Sequence, residues 1–228
     1  MALKELGCDS ISLTGAQAGI HTDTAFGRAR IAALHPERLE RELNQERVVI
    51  VAGFQGVTEE MEVTTLGRGA SDTTAVALAA GLGAVRCEIY TDVEGIYTAD
   101  PRIVTNAQKL TDISYDEMLE LASYGAKMHP RSIELGEMYQ IPILVASAFN
   151  EKPGTLIHGD VDMMEVRNKV RGVACDLNVA RITVLAVPDQ PGIAASLFEP
   201  LAQAGISVDV IVQNASQEHL TDLSFTVA

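Results

Sequence analysis

Over the first two thirds of the chain, apolar positions switch repeatedly between strand-like runs and helix-like stripes, and this alternation predicts an α/β layered domain. Residues 10–14 read as a short strand, and residues 36–45 as a charged surface helix with proline in its first turn. The run Arg47-Val48-Val49-Ile50-Val51-Ala52-Gly53 is apolar without alternation, so it predicts a buried strand covered on both faces. Residues 73–82 are Ala, Val, Leu and Thr nearly all round, which predicts a helix internal to the domain, capped by Ser71 or Asp72. Residues 87–91 form the next strand. Ser114-Tyr115-Asp116-Glu117 fits a capping box that opens a helix to about Ala122. A further helix spans 130–139, and strands at 143–147 and 155–157 flank the turn Asn150-Glu151-Lys152-Pro153-Gly154.

The pattern breaks at residues 160–171, where charged residues without periodicity predict a connector, and then restarts. Strands at 181–187, 206–212 and 220–227 and a helix from Pro191-Gly192 to about Ala204 give a βαββ arrangement. One helix leaves half of that sheet's apolar surface uncovered, so a further helix and strand are expected beyond the last residue. The predicted division is a first domain over 1–159, a linker over 160–174 and the first part of a second domain over 175–228.

Composition narrows the class. The 228 residues carry 17 Lys+Arg against 31 Asp+Glu, a formal net charge of −14, with 47% apolar residues. So acidic a chain argues against a nucleic-acid partner, which requires clustered cations to neutralise phosphates. Cys8, Cys87 and Cys175 are too few and too far apart for a disulfide framework or a CxxC metal site. The N-terminus lacks a signal-peptide pattern and no apolar run is long enough to span a bilayer, so a cytoplasmic protein without membrane association is expected.

The segment richest in chemistry is Thr64-Thr65-Leu66-Gly67-Arg68-Gly69-Ala70-Ser71-Asp72. Its glycines allow close backbone approach, the helix start that follows offers free N–H groups to an anion, and Arg68 offers a planar fork to a carboxylate. Asp72 has the charge to orient an ammonium group. An ordinary glycine-rich turn with a Ser or Asp cap has the same sequence. Gly53-Phe54-Gln55-Gly56 follows a strand at its carboxyl end, where open α/β sheets bind ligands. Tyr90-Thr91-Asp92-Val93-Glu94-Gly95-Ile96-Tyr97-Thr98-Ala99-Asp100-Pro101-Arg102 combines hydroxyls, carboxylates, an aromatic ring and a cation, a mixture suited to a nucleotide, although a long surface loop reads similarly. Lys127 is a point charge for phosphate or a solvated surface residue. No HExxH or cysteine-paired histidine is present, so no protein-held metal is expected.

Taken in order, Thr14-Gly15-Ala16-Gln17-Ala18-Gly19, Val51-Ala52-Gly53-Phe54-Gln55-Gly56 and the two longer segments above resemble the aspartate kinases of the amino-acid kinase family. The resemblance covers nearly the whole chain and implies a partial three-layer αβα sandwich followed by a partial ACT-like βαββ domain. It implies transfer of the γ-phosphoryl group of ATP, bound with Mg²⁺, to the side-chain carboxylate of L-aspartate, a step of lysine, threonine and methionine biosynthesis. Carried over by residue, Arg68, Ser71 and Asp72 are catalytic; Thr14, Arg68, Gly69, Ser71 and Asp72 hold aspartate. Thr91, Asp92, Tyr97, Thr98, Asp100, Pro101, Arg102 and Lys127 hold ATP. In the ACT-like part, Asp189, Gln190, Pro191, Gly192, Ile193 and Ala194, with Ser207, Val208, Asp209, Gln213 and Asn214, form the implied effector site for lysine or threonine, in a homo-oligomer joined by ACT pairing. The family's opening Lys-Phe-Gly-Gly-Thr-Ser loop has no counterpart here, so the expectation is a chain cut at both ends with little kinase activity alone. A regulatory subunit that senses an amino acid without catalysis, and a family member acting on another acceptor, remain open readings.

Overall fold

The computed structural model describes residues 2–159, 170–175, 179–214 and 220–227. They fall into two units, Met1–Cys175 and Asp176–Ala228. Most of the connector expected at 160–174 lies outside the described residues, whereas 170–175 pack on the first unit, where Arg171 reaches Asp112 and the Val173 amide donates to the Thr98 carbonyl at 2.8 Å.

The first unit runs α1 (Ala2–Glu5), β1 (Ser10–Leu13), β2 (Ile20–Thr22), β3 (Ile31–Leu34), α2 (Glu37–Leu43), β4 (Val48–Val51), β5 (Gln55–Val57) and β6 (Val63–Thr65). It continues with α3 (Ser71–Gly81), β7 (Cys87–Thr91), β8 (Asp112–Ser114), α4 (Tyr115–Ser123), α5 (Pro130–Tyr139), β9 (Ile143–Ser147) and β10 (Thr155–His158). Strands β1 and β4 pair in parallel; β3-β2-β5-β6 and β7-β9-β10-β8 form two four-stranded sheets. Within the latter, β7 runs parallel to β9, and β8 parallel to β10. The main core packs α3, α4 and α5 against β7, β8, β9 and β10 through Val76, Met118, Ile133, Ile143 and Ile157.

Helix α3 explains its own composition. Val76 and Ala79 enter the main core while Leu78 and Leu82 pack on a second cluster around Leu13, Ile20 and Leu39, so nearly every face meets apolar side chains. The capping box forms as the sequence predicts: the Ser114 hydroxyl accepts from the Glu117 amide at 3.2 Å and the Glu117 carboxylate from the Ser114 amide at 3.1 Å.

Three expectations are corrected. Strand β4 is covered on one face only; Val48 and Ile50 are 44% and 46% exposed, because β1 and α2 contact the strand but no layer covers its outer side among the described residues. Helix α3 is not capped by Ser71 or Asp72. Gly67 and Gly69, at φ +98° and +77°, turn the chain so that the Ala70 carbonyl receives the Thr74 amide at 3.1 Å, and Ser71 and Asp72 become the first helical residues. Pro36 precedes α2 as its cap rather than lying in the first turn.

The second unit comprises β11 (Ala180–Pro188), α6 (Ile193–Gln203), β12 (Val208–Gln213) and β13 (Leu220–Val227). Its antiparallel sheet has the order β11-β13-β12. Helix α6 covers one face, with the Phe198 ring edge-on to Phe225 at 5.2 Å over Val187 and Leu223. Ile182, Leu185, Val210, Ile211 and Val212 are exposed, in keeping with a sheet that has one helix. No helix among the described residues is long and apolar enough to cross a membrane.

Candidate functional site

Three loops of the first unit meet beside the start of α3. After β1, Thr14 and Gln17 bond reciprocally, amide to side chain, at 3.1 and 3.2 Å, which fixes a tight turn. A Cβ on Gly15 would lie 2.3 Å from the Gln55 carbonyl oxygen, so only glycine lets this turn touch the segment after β4. That segment is held in turn. Phe54 sits at φ +73°, its amide donating to Thr74 Oγ1 at 3.0 Å and its carbonyl accepting from the Leu66 amide at 2.9 Å. At Gly53 an added Cβ would approach Ser71 Cβ to 3.3 Å.

The loop entering α3, the end of β7 and the segment between α4 and α5 enclose a cleft of about 210 Å³ lined by Gly69, Ser71, Asp72, Ile89, Tyr90, Thr91, Lys127 and Met128. On its rim Lys127 Nζ lies 2.8 Å from Asp92 Oδ1, and the Thr91 hydroxyl donates to the same oxygen at 3.0 Å. The Lys127 hydrogen bond, aided by Thr91, holds the Asp92 carboxyl below the usual range. Asp72 behaves oppositely: burial raises its carboxyl, and the His129 backbone amide with the His129 and Lys127 charges offsets only part of this. A desolvated carboxylate with incomplete compensation is suited to receive a cationic partner. Arg68, between Gly67 and Gly69, is exposed and has no ion pair among the described residues, so its fork is free.

Of the residues singled out from sequence, Gly69, Ser71, Asp72, Thr91 and Lys127 line this cleft and Asp92 borders it through its ion pair. Thr14 lies on the adjoining turn and Arg68 immediately precedes the lining residue Gly69, neither of them in the lining. The later part of the long loop does not line the cleft. Tyr97 bridges to Lys109, Thr98 exchanges bonds with Gln108 at 2.8 and 3.0 Å, and Arg102 folds onto Asp100 with a contact of 2.7 Å beside Pro101. Sequence reasoning passed over Ile89, Tyr90 and Met128 as site residues. Tyr90 carried a signal, since it is a large aromatic one residue before Thr91, and its hydroxyl donates to Glu88 at 2.7 Å. Among the described residues no group of three or more His, Cys, Asp or Glu is placed to hold a metal ion.

In the second unit, a cleft of about 360 Å³ is lined by Asp189, Gln190, Pro191, Gly192, Ile193 and Ala194, together with Gln213 and residues of β11 and β13. Gly192, at φ +94°, caps the start of α6 within this lining, and the Ile193 amide turns back to the Gln190 carbonyl at 3.4 Å. Asn214 adjoins it, its carbonyl accepting from Thr221 at 2.7 Å. Ser207, Val208 and Asp209 are not brought to it; Val208 packs in the core beneath α6.

The site is a loop–helix cleft at the carboxyl end of a strand in a parallel pair, with Lys127 set against Asp92, and comparison with known families identifies the class of domain that carries it. The sequence profile of the Amino acid kinase family matches residues 1–147 and that of the ACT domain matches 184–228, and the chain belongs to the amino acid kinase family. Within that family it is similar to aspartokinases. It is 50% identical to an aspartokinase of a Bacillus species over 228 residues, all of this chain and 55% of the relative. E. coli aspartokinase III in complex with aspartate and ADP matches 98% of this chain and 50% of its own, with 33% identity and a TM-score of 0.75. The same enzyme in complex with lysine and aspartate gives 31% identity over 99% of this chain and 51% of its own, with a TM-score of 0.74. The chain therefore spans about half the length of the curated relatives it matches.

Proposed function

We propose that this chain carries the acceptor and nucleotide face of an aspartate kinase, transferring the γ-phosphoryl group of MgATP to the side-chain carboxylate of L-aspartate to give 4-phospho-L-aspartate in lysine, threonine and methionine biosynthesis. The observation that carries the reading is the single cleft in which the Arg68–Asp72 loop faces the Lys127–Asp92 pair. The free fork of Arg68 takes an aspartate carboxylate bidentately, Thr14, Gly69 and Ser71 position the amino acid, and desolvated Asp72 orients its ammonium group or a phosphate-binding cation. Thr91, Asp92 and Lys127 hold the nucleotide, and Tyr97, Thr98, Asp100, Pro101 and Arg102 contact it from the adjoining loop. Mg²⁺ arrives with ATP, coordinated by phosphate oxygens and water, which agrees with a chemistry that needs few protein carboxylates. Transfer then depends on positioning and on neutralising charge, with no covalent intermediate on the enzyme.

The second unit is read as an amino-acid sensor in which Gly192 and the first amides of α6 receive the carboxylate of lysine or threonine, with Asp189 and Gln213 toward its other polar groups and Ser207, Val208, Asp209 and Asn214 on neighbouring positions. E. coli aspartokinase III has been solved with lysine bound, which supports lysine as the first ligand to test. A homo-oligomer paired through the second unit, acting in the cytoplasm, completes the reading. Titration of the chain with L-aspartate and MgATP, with Arg68→Ala and Asp72→Asn in parallel, tests it, since binding does not require turnover. Aspartate affinity lost in both variants supports the assignment; aspartate binding that persists in both, or a preference for another acceptor in place of aspartate, overturns it.

A further inference from the structure

The segment between α4 and α5 does more than supply Lys127. Met128 adopts φ +121°, a conformation that side chains other than glycine rarely take, and Lys127 and His129 flank this bend. On one side Lys127 points to Asp92 at 2.8 Å. On the other, His129 caps α5, its Nδ1 accepting from the Arg131 amide at 3.3 Å, which places the ring's Cδ2 3.5 Å from where a Cβ on Gly69 would stand. Arg131 then reaches away from its own helix. Its guanidinium donates to the Leu66 carbonyl at 2.8 Å, 65 residues distant in sequence, and to the Ala29 carbonyl at 3.0 Å, 102 residues distant.

Those two carbonyls frame the acceptor loop. Leu66 immediately precedes Gly67, and Ala29, Leu66 and Ala70 form a buried apolar cluster of their own. The Ala29 amide donates to the Thr65 carbonyl at 2.9 Å, so the guanidinium ties the residue just before the loop that displays Arg68 to the segment between β2 and β3. Gly67 and Gly69 give that loop little stiffness of its own. Resting on the aspartate-kinase reading above, we infer that Arg131 is a positioning residue for the acceptor amino acid: it holds the Gly67–Gly69 turn so that Arg68 and Asp72 face the cleft, while Lys127 on the same segment serves the nucleotide. A planar, charged fork suits the task, because two carbonyls at fixed spacing need two parallel donors. A lysine would satisfy one of them.

The test compares Arg131→Ala, Arg131→Lys and, as a stability control of similar burial away from the cleft, Arg171→Ala, each measured for thermal unfolding and for MgATP and L-aspartate affinity by titration. The inference expects Arg131→Ala to weaken aspartate binding on the order of tenfold, the size of one lost charge-assisted hydrogen bond. Nucleotide affinity should stay within about twofold on the same scale, and Arg131→Lys should recover part of the aspartate loss. Arg171→Ala should lower the melting temperature and leave both affinities unchanged. Equal loss of both ligands in Arg131→Ala, unchanged aspartate affinity, or an equal aspartate loss in Arg171→Ala overturns the role of Arg131 and leaves the parent reading standing. A wild-type chain that binds neither ligand overturns the parent reading and this one with it.

Discussion

Thr74 provides a quantitative test of how the loops around the cleft are held. Its side chain is 2% exposed, and its hydroxyl accepts from the Phe54 amide at 3.0 Å and donates to the Ala70 carbonyl at 3.3 Å. Thr74→Val preserves the shape of the side chain and removes both bonds. The Ala70 carbonyl keeps the Thr74 amide at 3.1 Å, so the orphan is the Phe54 N–H. Phe54 already occupies a left-handed conformation that costs roughly 1–2 kcal/mol for a residue with a Cβ. Losing the acceptor of a part-buried amide costs about 1–2 kcal/mol, the lower part of the range for unmade buried hydrogen bonds. At about 2–4 °C per kcal/mol for a domain of this size, calorimetry should show the first unit melting about 2–8 °C lower. Thr74→Ser is the discriminating partner: it keeps the hydroxyl and loses one methyl, about 0.8 kcal/mol of transfer energy. The valine variant should also bind aspartate several-fold more weakly, because Phe54 accepts from Leu66 at the mouth of the acceptor loop, whereas the serine variant should not. A valine variant as stable as the wild type, or a serine variant that loses aspartate affinity equally, would refute this account of the loop anchor.

Asp72→Asn should stabilise the fold at pH 7 while weakening L-aspartate binding on the order of tenfold, the size of one lost charge-assisted hydrogen bond. Burial raises the Asp72 carboxyl, so the ionised form penalises the folded state above its folded pKa and the penalty fades as pH falls; the stability gain of the variant should disappear below about pH 3.5, and a gain that persists there counts against the assignment. Gly15→Ala should lower the urea midpoint by the equivalent of about 1–3 kcal/mol, since its Cβ would lie 2.3 Å from a backbone oxygen that cannot yield without moving the 53–56 loop. Titration with an aromatic disulfide at pH 8 should modify exposed Cys8 and Cys175 quickly and buried Cys87 only on unfolding. Burial, with the Asp72 and Glu88 charges, pushes the Cys87 thiol up to about 11, which leaves about one thiolate in a thousand at that pH. Three fast thiols would show that β7 is not held as described.

Elements with a full period or a distinct cap were legible in the sequence, as the helices Tyr115–Ser123 and Pro130–Tyr139 and the strand Cys87–Thr91 illustrate. The strands Ile20–Thr22, Ile31–Leu34, Gln55–Val57 and Val63–Thr65 were not, because one or two alternations do not separate a strand from a loop and their pairing is decided by distant partners. The exposed side of Val48–Val51 could not be read from its own apolarity, since cover is a property of the layers around a strand. Residues whose chemistry is explicit, such as Arg68, Asp72 and Lys127, stood out. Tyr90 and Met128 did not, because lining a cleft requires no particular functional group, and Arg131 acts on main-chain carbonyls that leave no trace in the residue types it touches.

The central claim, that one cleft of the first unit takes both nucleotide and aspartate, is tested most directly by titrating the chain with MgATP, with and without L-aspartate, alongside Lys127→Ala and Arg68→Ala. The account predicts saturable nucleotide binding that Lys127→Ala weakens on the order of tenfold and Arg68→Ala leaves intact, while Arg68→Ala alone removes the aspartate response. Absence of nucleotide binding at millimolar MgATP, or binding indifferent to Lys127, would contradict it.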